Sequence, residues 1–213
     1  MQANTYPKGL IIFGFGGHAR SVADVATVMG IMNLRFIDST ARDNERYLDH
    51  PVEADWEQEL PTGWAVFSAS GNNGQRRAHL EEAQRRGWPV ATLIAPSASL
   101  GASCRISPGC FIGQHAHIGP QAHIAEGCII NTGAIVEHES RVGEYSHVAV
   151  NATVAGRSAI GADNFIGAGA TVIDGVSLTD RVQLGAGAVV TRNLTAAGLY
   201  LGIPARLYRS NQS

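Results

Sequence analysis

From Ile94 to Val190 an aliphatic residue returns at every sixth position: Ile94, Leu100, Ile106, Ile112, Ile118, Ile124, Ile130, Val136, Val142, Val148, Val154, Ile160, Ile166, Val172, Leu178, Leu184 and Val190. Two positions before most of them stands a small residue, among them Ala98, Cys104, Cys110, Ala116, Ala122, Cys128, Ala134, Ser140, Ser146, Ala152, Ser158 and Ala170. Residues two apart on a strand point the same way, so both sets face one interior, the large one lining a wall and the small one filling a corner. Each hexad is then one short strand and a bend, and hexads of this kind stack into a parallel β-helix. No α-helix repeats at six, and hairpin signals are missing over the whole run, which excludes a helical bundle or a sandwich. With three hexads per coil, residues eighteen apart stack at roughly 4.7–4.9 Å, giving a prism about 25 Å tall. Gly113, Gly119, Asn131, Gly143, Gly161, Gly167 and Gly185 are expected at corners that need unusual backbone angles.

Before Ile94 the pattern changes. Residues 9–14, GLIIFG, predict a buried strand that runs through Phe15, Gly16, Gly17, His18 and Ala19 into a helix patterned by Val22, Ala23, Val25, Ala26 and Val28 and closed by Gly30. Further strands are expected at Leu34–Ile37, Trp64–Phe67 and Pro89–Leu93, with a second helix over Gln75–Arg86. This βαβ succession is half of a doubly wound α/β fold. Gly14, Gly16 and Ala19 match G-x-G-x-x-A, and Asp38 follows about twenty residues on, at the end of the second strand. Glycines there let a backbone approach a diphosphate at a helix N-terminus, and the acid can accept from a ribose or a base. The same glycines would also serve a purely structural turn. The domain has no second mononucleotide half, which points to a nucleotide-linked substrate rather than a nicotinamide cofactor. Arg20 is a candidate for the phosphates, whereas Arg76, Arg77, Arg85 and Arg86 read as a solvated helix face.

A chain of 213 residues accommodates two modest domains, divided near Ile94. A net charge of −2 without a basic block argues against nucleic-acid and membrane-surface partners. Leu10–Phe15 is too short for a signal or membrane-spanning segment, so a cytoplasmic location is expected. The three cysteines, Cys104, Cys110 and Cys128, all occupy the small inward position and read as packing residues in a reducing compartment.

Five of the eight histidines, His115, His117, His123, His138 and His147, fall in the repeat, none at a wall position. His117, His123 and His147 each precede a wall residue, so alternation turns them outward and surface histidine is the expectation. His117 and His123 lie on different faces, which disfavours a metal shared between them. His138 stands at a bend in Val136-Glu137-His138-Glu139, flanked by two carboxylates. A neighbouring carboxylate holds an imidazole in one tautomer, as a general base near neutral pH requires. Spacing alone leaves a catalytic and a structural role open.

The stretches IIFGFGGHAR, FIDS, ASGNNGQRR, INTGAIVEHESRVGEYSHVAVNATVAG and GLYLGIPAR together make the chain similar to the left-handed β-helix acyltransferases of the hexapeptide-repeat superfamily. More narrowly, it resembles the sugar O- and N-acetyltransferases, represented by bacillosamine and perosamine N-acetyltransferases and sialic acid O-acetyltransferases. The resemblance implies an α/β half-Rossmann-like domain over residues 1–93 that binds a nucleotide sugar. An all-β left-handed parallel β-helix of hexapeptide repeats with a C-terminal tail would follow over residues 94–213. It further implies a homotrimer with active sites in clefts between neighbouring prisms. His138 matches the family's general base and Glu139 its orienting carboxylate, with Asn131 and His147 as neighbours in the cleft. Acetyl-coenzyme A would run along the prism past Gly156, Ala168 and Ala186 and the tail around Gly202 and Pro204. The nucleotide sugar would sit on Gly14, Gly17, His18 and Asp38, its sugar reaching the next subunit's imidazole.

The activity expected from this resemblance is acetyl transfer from acetyl-coenzyme A to the 4-amino group of a nucleotide-linked 4-amino-4,6-dideoxyhexose, UDP being favoured over dTDP or GDP. Inward cysteines favour direct transfer over an acyl-enzyme. No metal is expected. The rival readings are sugar O-acetylation, a noncatalytic β-helix that binds nucleotide sugars, and a nicotinamide-dependent oxidoreductase.

Overall fold

The computed structural model describes residues 6–56 and 59–210. The chain divides into two compact units, residues 1–96 and 97–213.

The first unit is a small α/β sheet in the order β3-β4-β2-β1-β5. Its strands are β1 Gly9–Phe13, β2 Leu34–Ile37, β3 Arg46–Tyr47, β4 His50–Glu53 and β5 Trp64–Ser68, with helices α1 Gly17–Val28 and α2 Asn73–Arg85. β1 lies parallel between β2 and β5, pairing Ile12 with Phe36 and with Phe67. A central parallel strand is covered on both faces, which is why Leu10, Ile11 and Ile12 form an unbroken apolar run, all fully buried. Against it lie the apolar stripe of α1 (Ala19, Val22, Ala23, Val25, Ala26) and, from α2, Leu80 and Ala83. The β3–β4 hairpin is an element the sequence pattern did not announce, because its edge strands mix Arg46, Tyr47, His50 and Pro51 without clear alternation. Of the strand expected at Pro89–Leu93, Val90 makes a single bridge to Val66 and Leu93 begins a two-residue strand, Leu93–Ile94.

The second unit is a three-sided parallel β-helix of the left-handed type. Its two-residue strands pair at an interval of eighteen: Ile118, Val136, Val154, Val172 and Val190 stack on one face, and Ile124, Val142, Ile160 and Leu178 on the next. Ile112, Ile130, Val148, Ile166 and Leu184 form the third. Nearly all are fully buried, each contributing about 1.5–3 kcal/mol of apolar burial.

The small inward residues do more than fill space. The thiols of Cys110 and Cys128 donate to the carbonyls of Ala125 and Gly143, and the hydroxyls of Ser140, Ser146 and Ser158 to those of Ala155, Gly161 and Ile173. Every one of these bonds joins residue i to residue i+15 and so closes a corner against the next coil. Asn164 takes the same position on a larger scale: its amide donates to the carbonyls of Gly161 (2.9 Å) and Thr179 (3.0 Å) and accepts from the Val182 N–H.

The corner glycines have a different cause from the one expected. Gly113, Gly119, Gly143, Gly161, Gly167 and Gly185 do not have left-handed backbone angles, nor does Asn131. A Cβ at Gly119 would stand 2.5 Å from the amide nitrogen of His138, and one at Gly113 2.8 Å from that of Thr132, so these glycines let successive coils approach. The left-handed conformation falls two residues later, at Ser103, His115, Gln121, Glu139, Tyr145, Asn151, Arg157, Asp163 and Arg181, and at glycines such as Gly133 and Gly175. Leu201 and Arg206 close a terminal antiparallel hairpin, Gly198–Leu201 with Arg206–Ser210, whose turn contains Gly202 and Pro204.

Candidate active site

In the first unit, the loops after β1, β2 and β5 converge on a cleft of about 700 Å³. Gly14, Gly17, His18 and Asp38 all line it. Gly14 has φ +94, which a side chain resists, while a Cβ on Gly16 or Gly17 would meet nothing within 4 Å. The fold therefore has no packing need for glycine at 16 and 17, and the space they leave opens on the start of α1. That helix has no side-chain cap at Gly16 and no acid in its first turn, so its N-terminal N–H groups and dipole favour an anion.

Asp38 holds the cleft together. Oδ2 accepts from the Phe15 N–H at 2.7 Å, and Oδ1 from the Thr40 N–H at 2.9 Å and hydroxyl at 2.6 Å. The Thr40 hydroxyl above all, then the two backbone N–H groups, keeps its carboxyl below the ordinary range against the opposing effect of burial. Arg20 does not line the cleft: its guanidinium lies over the rings of Phe15 (4.8 Å) and Tyr47 (5.5 Å) and donates to the Gly16 carbonyl.

A second loop, Ala69–Asn72, within the ASGNNGQRR stretch, also lines the cleft. Asn72 caps α2 by accepting from the Gln75 N–H at 3.0 Å. Arg76, expected on a wet face, is fully buried and donates to the Ser70 carbonyl and to Asn73, fixing this loop. The expectation failed because helical spacing does not reveal that the Ser70 carbonyl and the Asn73 side chain turn towards residue 76. Arg85 and Arg86 do pair at the surface with Glu82. His79 also lines the cleft, its Nδ1 2.9 Å from the Ser68 hydroxyl and its ring 5.4 Å from that of Phe13. Burial lowers the tendency of this imidazole to take a proton, opposed by the Asp38 charge.

In the second unit, His138 and Glu139 occupy one corner, between the strands Ile135–Val136 and Arg141–Val142. Glu139 is left-handed (φ 59), which swings its carboxylate back beside the preceding residue, and Oε2 lies 3.1 Å from His138 Nδ1. Gly156 occupies the same corner one coil on. A Cβ there would stand 2.5 Å from His138 Nε2, so the imidazole rests in space that only glycine leaves.

Asn131, Ala168 and Ala186 lie on another corner, one face of the prism away. There the Asn131 amide is 3.2 Å from His147 Nε2 and its carbonyl accepts from the Thr132 N–H. His147 is not a surface histidine: it is only 7% exposed, with the Phe165 ring edge-on at 5.1 Å. His123 is exposed and His117 half-buried. Among the described residues no group of His, Cys, Asp and Glu has the geometry to hold a metal ion, and no helix is long and apolar enough to cross a membrane.

Comparison with known proteins agrees with both halves. The profile of the PglD N-terminal domain matches residues 9–83, and that of the bacterial transferase hexapeptide (six repeats) matches residues 157–192. No curated protein matches in sequence. Among solved structures, a His-to-Ala variant of GDP-perosamine N-acetyltransferase from Caulobacter crescentus, in complex with CoA and GDP-perosamine, is 32% identical. It superposes with a TM-score of 0.86 over 95% of this chain and 97% of that one. The acetyltransferase domain of PglB from Neisseria gonorrhoeae is 28% identical, with a TM-score of 0.89 over 94% of this chain and 99% of that one. The same domain in complex with acetyl coenzyme A gives 27% and 0.87 at the same coverage. With both halves matched and nearly the full length of a 32% identical relative covered, the chain belongs to the hexapeptide-repeat sugar acetyltransferases that carry a PglD-type N-terminal domain.

Proposed function

We propose that the protein transfers the acetyl group of acetyl-coenzyme A to the 4-amino group of a nucleotide-linked 4-amino-4,6-dideoxyhexose. The observation that carries this reading is the pairing of His138 Nδ1 with Glu139, which leaves Nε2 as the free nitrogen above Gly156. A neutral amine is already nucleophilic, so the protein has mainly to align it with the thioester and remove a proton. As the amine nitrogen bonds to the carbonyl carbon, Nε2 takes its proton. Glu139 holds the ring with the proton on Nδ1 and stabilises the imidazolium. When the C–S bond breaks, the imidazolium returns that proton to the departing sulfur. Cys110 and Cys128 are buried with their thiols engaged, which supports direct transfer without an acyl-enzyme.

The nucleotide diphosphate would lie at the start of α1 on Gly14, Gly17 and His18. Acetyl-coenzyme A would follow the prism past Gly156, Ala168 and Ala186, with Gly202 and Pro204 at its tail. These prism residues, with Asn131 and His147, fall on two corners of one copy, which supports a site completed by a neighbouring copy in a homotrimer. The test is thiol release from acetyl-coenzyme A with UDP-, dTDP- and GDP-linked 4-amino sugars and their 4-hydroxy counterparts. One amino sugar should be turned over, and His138→Ala should lower that rate by roughly 10² to 10⁴. Turnover near wild type in a correctly assembled H138A protein would remove His138 from the role of base.

A further inference from the structure

The corner that carries His138 holds a second acceptor. Asp174 lies two coils on in the same stack, thirty-six residues from the histidine, with Gly156 between them. The point where a Cβ of residue 156 would stand is 2.5 Å from His138 Nε2 and 2.9 Å from Asp174 Oδ2. The two acceptors are therefore at most about 5.4 Å apart, and two hydrogen bonds of about 2.8–3.0 Å that diverge from one nitrogen at the tetrahedral angle span about 4.5–5 Å, so one polar group placed just outside Gly156 reaches both. The carboxylate is oriented for this. Arg157, stacked one coil from Glu139, pairs with Oδ1 and leaves Oδ2 turned to the imidazole. Asp174 is about half exposed, as His138 is, and both are accessible.

We infer that Asp174 is the residue that selects an amine over a hydroxyl as the acetyl acceptor. This rests on the acetyl transfer proposed above. An attacking primary amine has two N–H bonds and one lone pair. One N–H faces His138 Nε2, the other Asp174 Oδ2, and the lone pair is left for the thioester carbonyl. As the C–N bond forms, the first proton passes to Nε2 and later to the sulfur. The Asp174 hydrogen bond persists throughout, and the carboxylate neither gains nor loses a proton. A hydroxyl has a single hydrogen: once that faces Nε2, its oxygen lone pairs meet the carboxylate. Selectivity then comes from a repulsive element as well as an attractive one.

The test compares wild type, Asp174→Asn and Arg157→Ala in the full-length protein. The readouts are kcat/KM for the amino sugar that wild type acetylates, Ki for the matching nucleotide-linked 4-hydroxy sugar, and CoA affinity. D174N should lower kcat/KM for the amine by about 10- to 100-fold, the range for a hydrogen bond to a charged group. Ki for the hydroxy sugar should be unchanged or improved, and CoA affinity retained. R157A should show a weaker form of the same change. If amine turnover is unaffected in D174N, or if both sugars weaken in parallel, Asp174 does not select the acceptor. If wild type itself releases no thiol with any amino sugar, the reaction assignment falls first.

Discussion

Replacing Gly156 by Ala asks how closely the imidazole must be held. The new Cβ would stand 2.5 Å from His138 Nε2, 2.6 Å from Cε1 and 2.9 Å from Asp174 Oδ2. Ordinary non-bonded contact is about 3.5–4.0 Å, so the ring must retreat by roughly 1 Å or more. Gly156 does not have a left-handed backbone, so alanine introduces no conformational strain of its own. The histidine side chain is 43% exposed and can swing outward, at about the 0.5–1.5 kcal/mol of an off-rotamer torsion. For a chain of this length that is a fall of a few degrees in Tm, by the usual ~2–4 °C per kcal/mol. Catalysis should respond far more, because a misplacement of about 1 Å costs around 10²-fold in rate. The expected G156A protein folds and assembles, loses little thermal stability and turns over about a hundredfold slower in the thiol-release assay. CoA affinity measured by titration separates a displaced imidazole from a blocked cofactor path. Turnover within about threefold of wild type, with CoA binding intact, would refute the view that the ring's position over residue 156 matters.

Two further outcomes concern stability. His79 resists protonation in the folded protein because it is partly buried, so the unfolded chain takes up the proton at higher pH. Its contribution is therefore complete above the ordinary imidazole value of about 6.5 and is lost as pH falls below it. Urea midpoints of wild type should decline from pH 7 towards pH 5, and His79→Gln should flatten that decline; equal slopes would exclude His79 as its source. Asn164→Ala leaves the Thr179 carbonyl and the Val182 N–H without their buried partner, and the Gly161 carbonyl with the Ser146 hydroxyl in place of two donors. It should cost about 2–4 kcal/mol in denaturant unfolding, and a loss under about 0.5 kcal/mol would show that the corner readjusts.

The repeat was legible because every coil meets the same demand, one large residue per wall, so a period of six survives whatever occupies the turns. The glycine loop was legible because Gly14 must take a left-handed angle where the strand turns into the helix, while Gly16 and Gly17 stand at the offsets that leave a helix N-terminus open to a ligand. What escaped depended on where a side chain turns after leaving its element. Arg76 carries the same charge as Arg85 and sits on the same helix, yet one is buried against the Ser70 carbonyl and the Asn73 side chain and the other is wet. His147 obeys alternation by pointing away from the coil interior, but its neighbours Asn131 and Phe165 enclose it. The contact between Glu139 and His138 needed a left-handed backbone angle at a glutamate, which no residue preference suggests. Asp174 was hidden in plainer fashion: counting eighteen twice from His138 arrives at it, once the stacking is taken as a coordinate system.

The terminal hairpin has a consequence for the protein's life in a crowded solution. A stack of parallel rungs has no intrinsic length, and its last coil offers bare amides and carbonyls on which another chain could nucleate. Here the Val182–Leu184 strand is covered by Gly198–Leu201, and the chain then reverses, so the final partner runs antiparallel and carries Arg206 and Arg209 along it. Opposed direction and like charge make that rim a poor template for fibril growth.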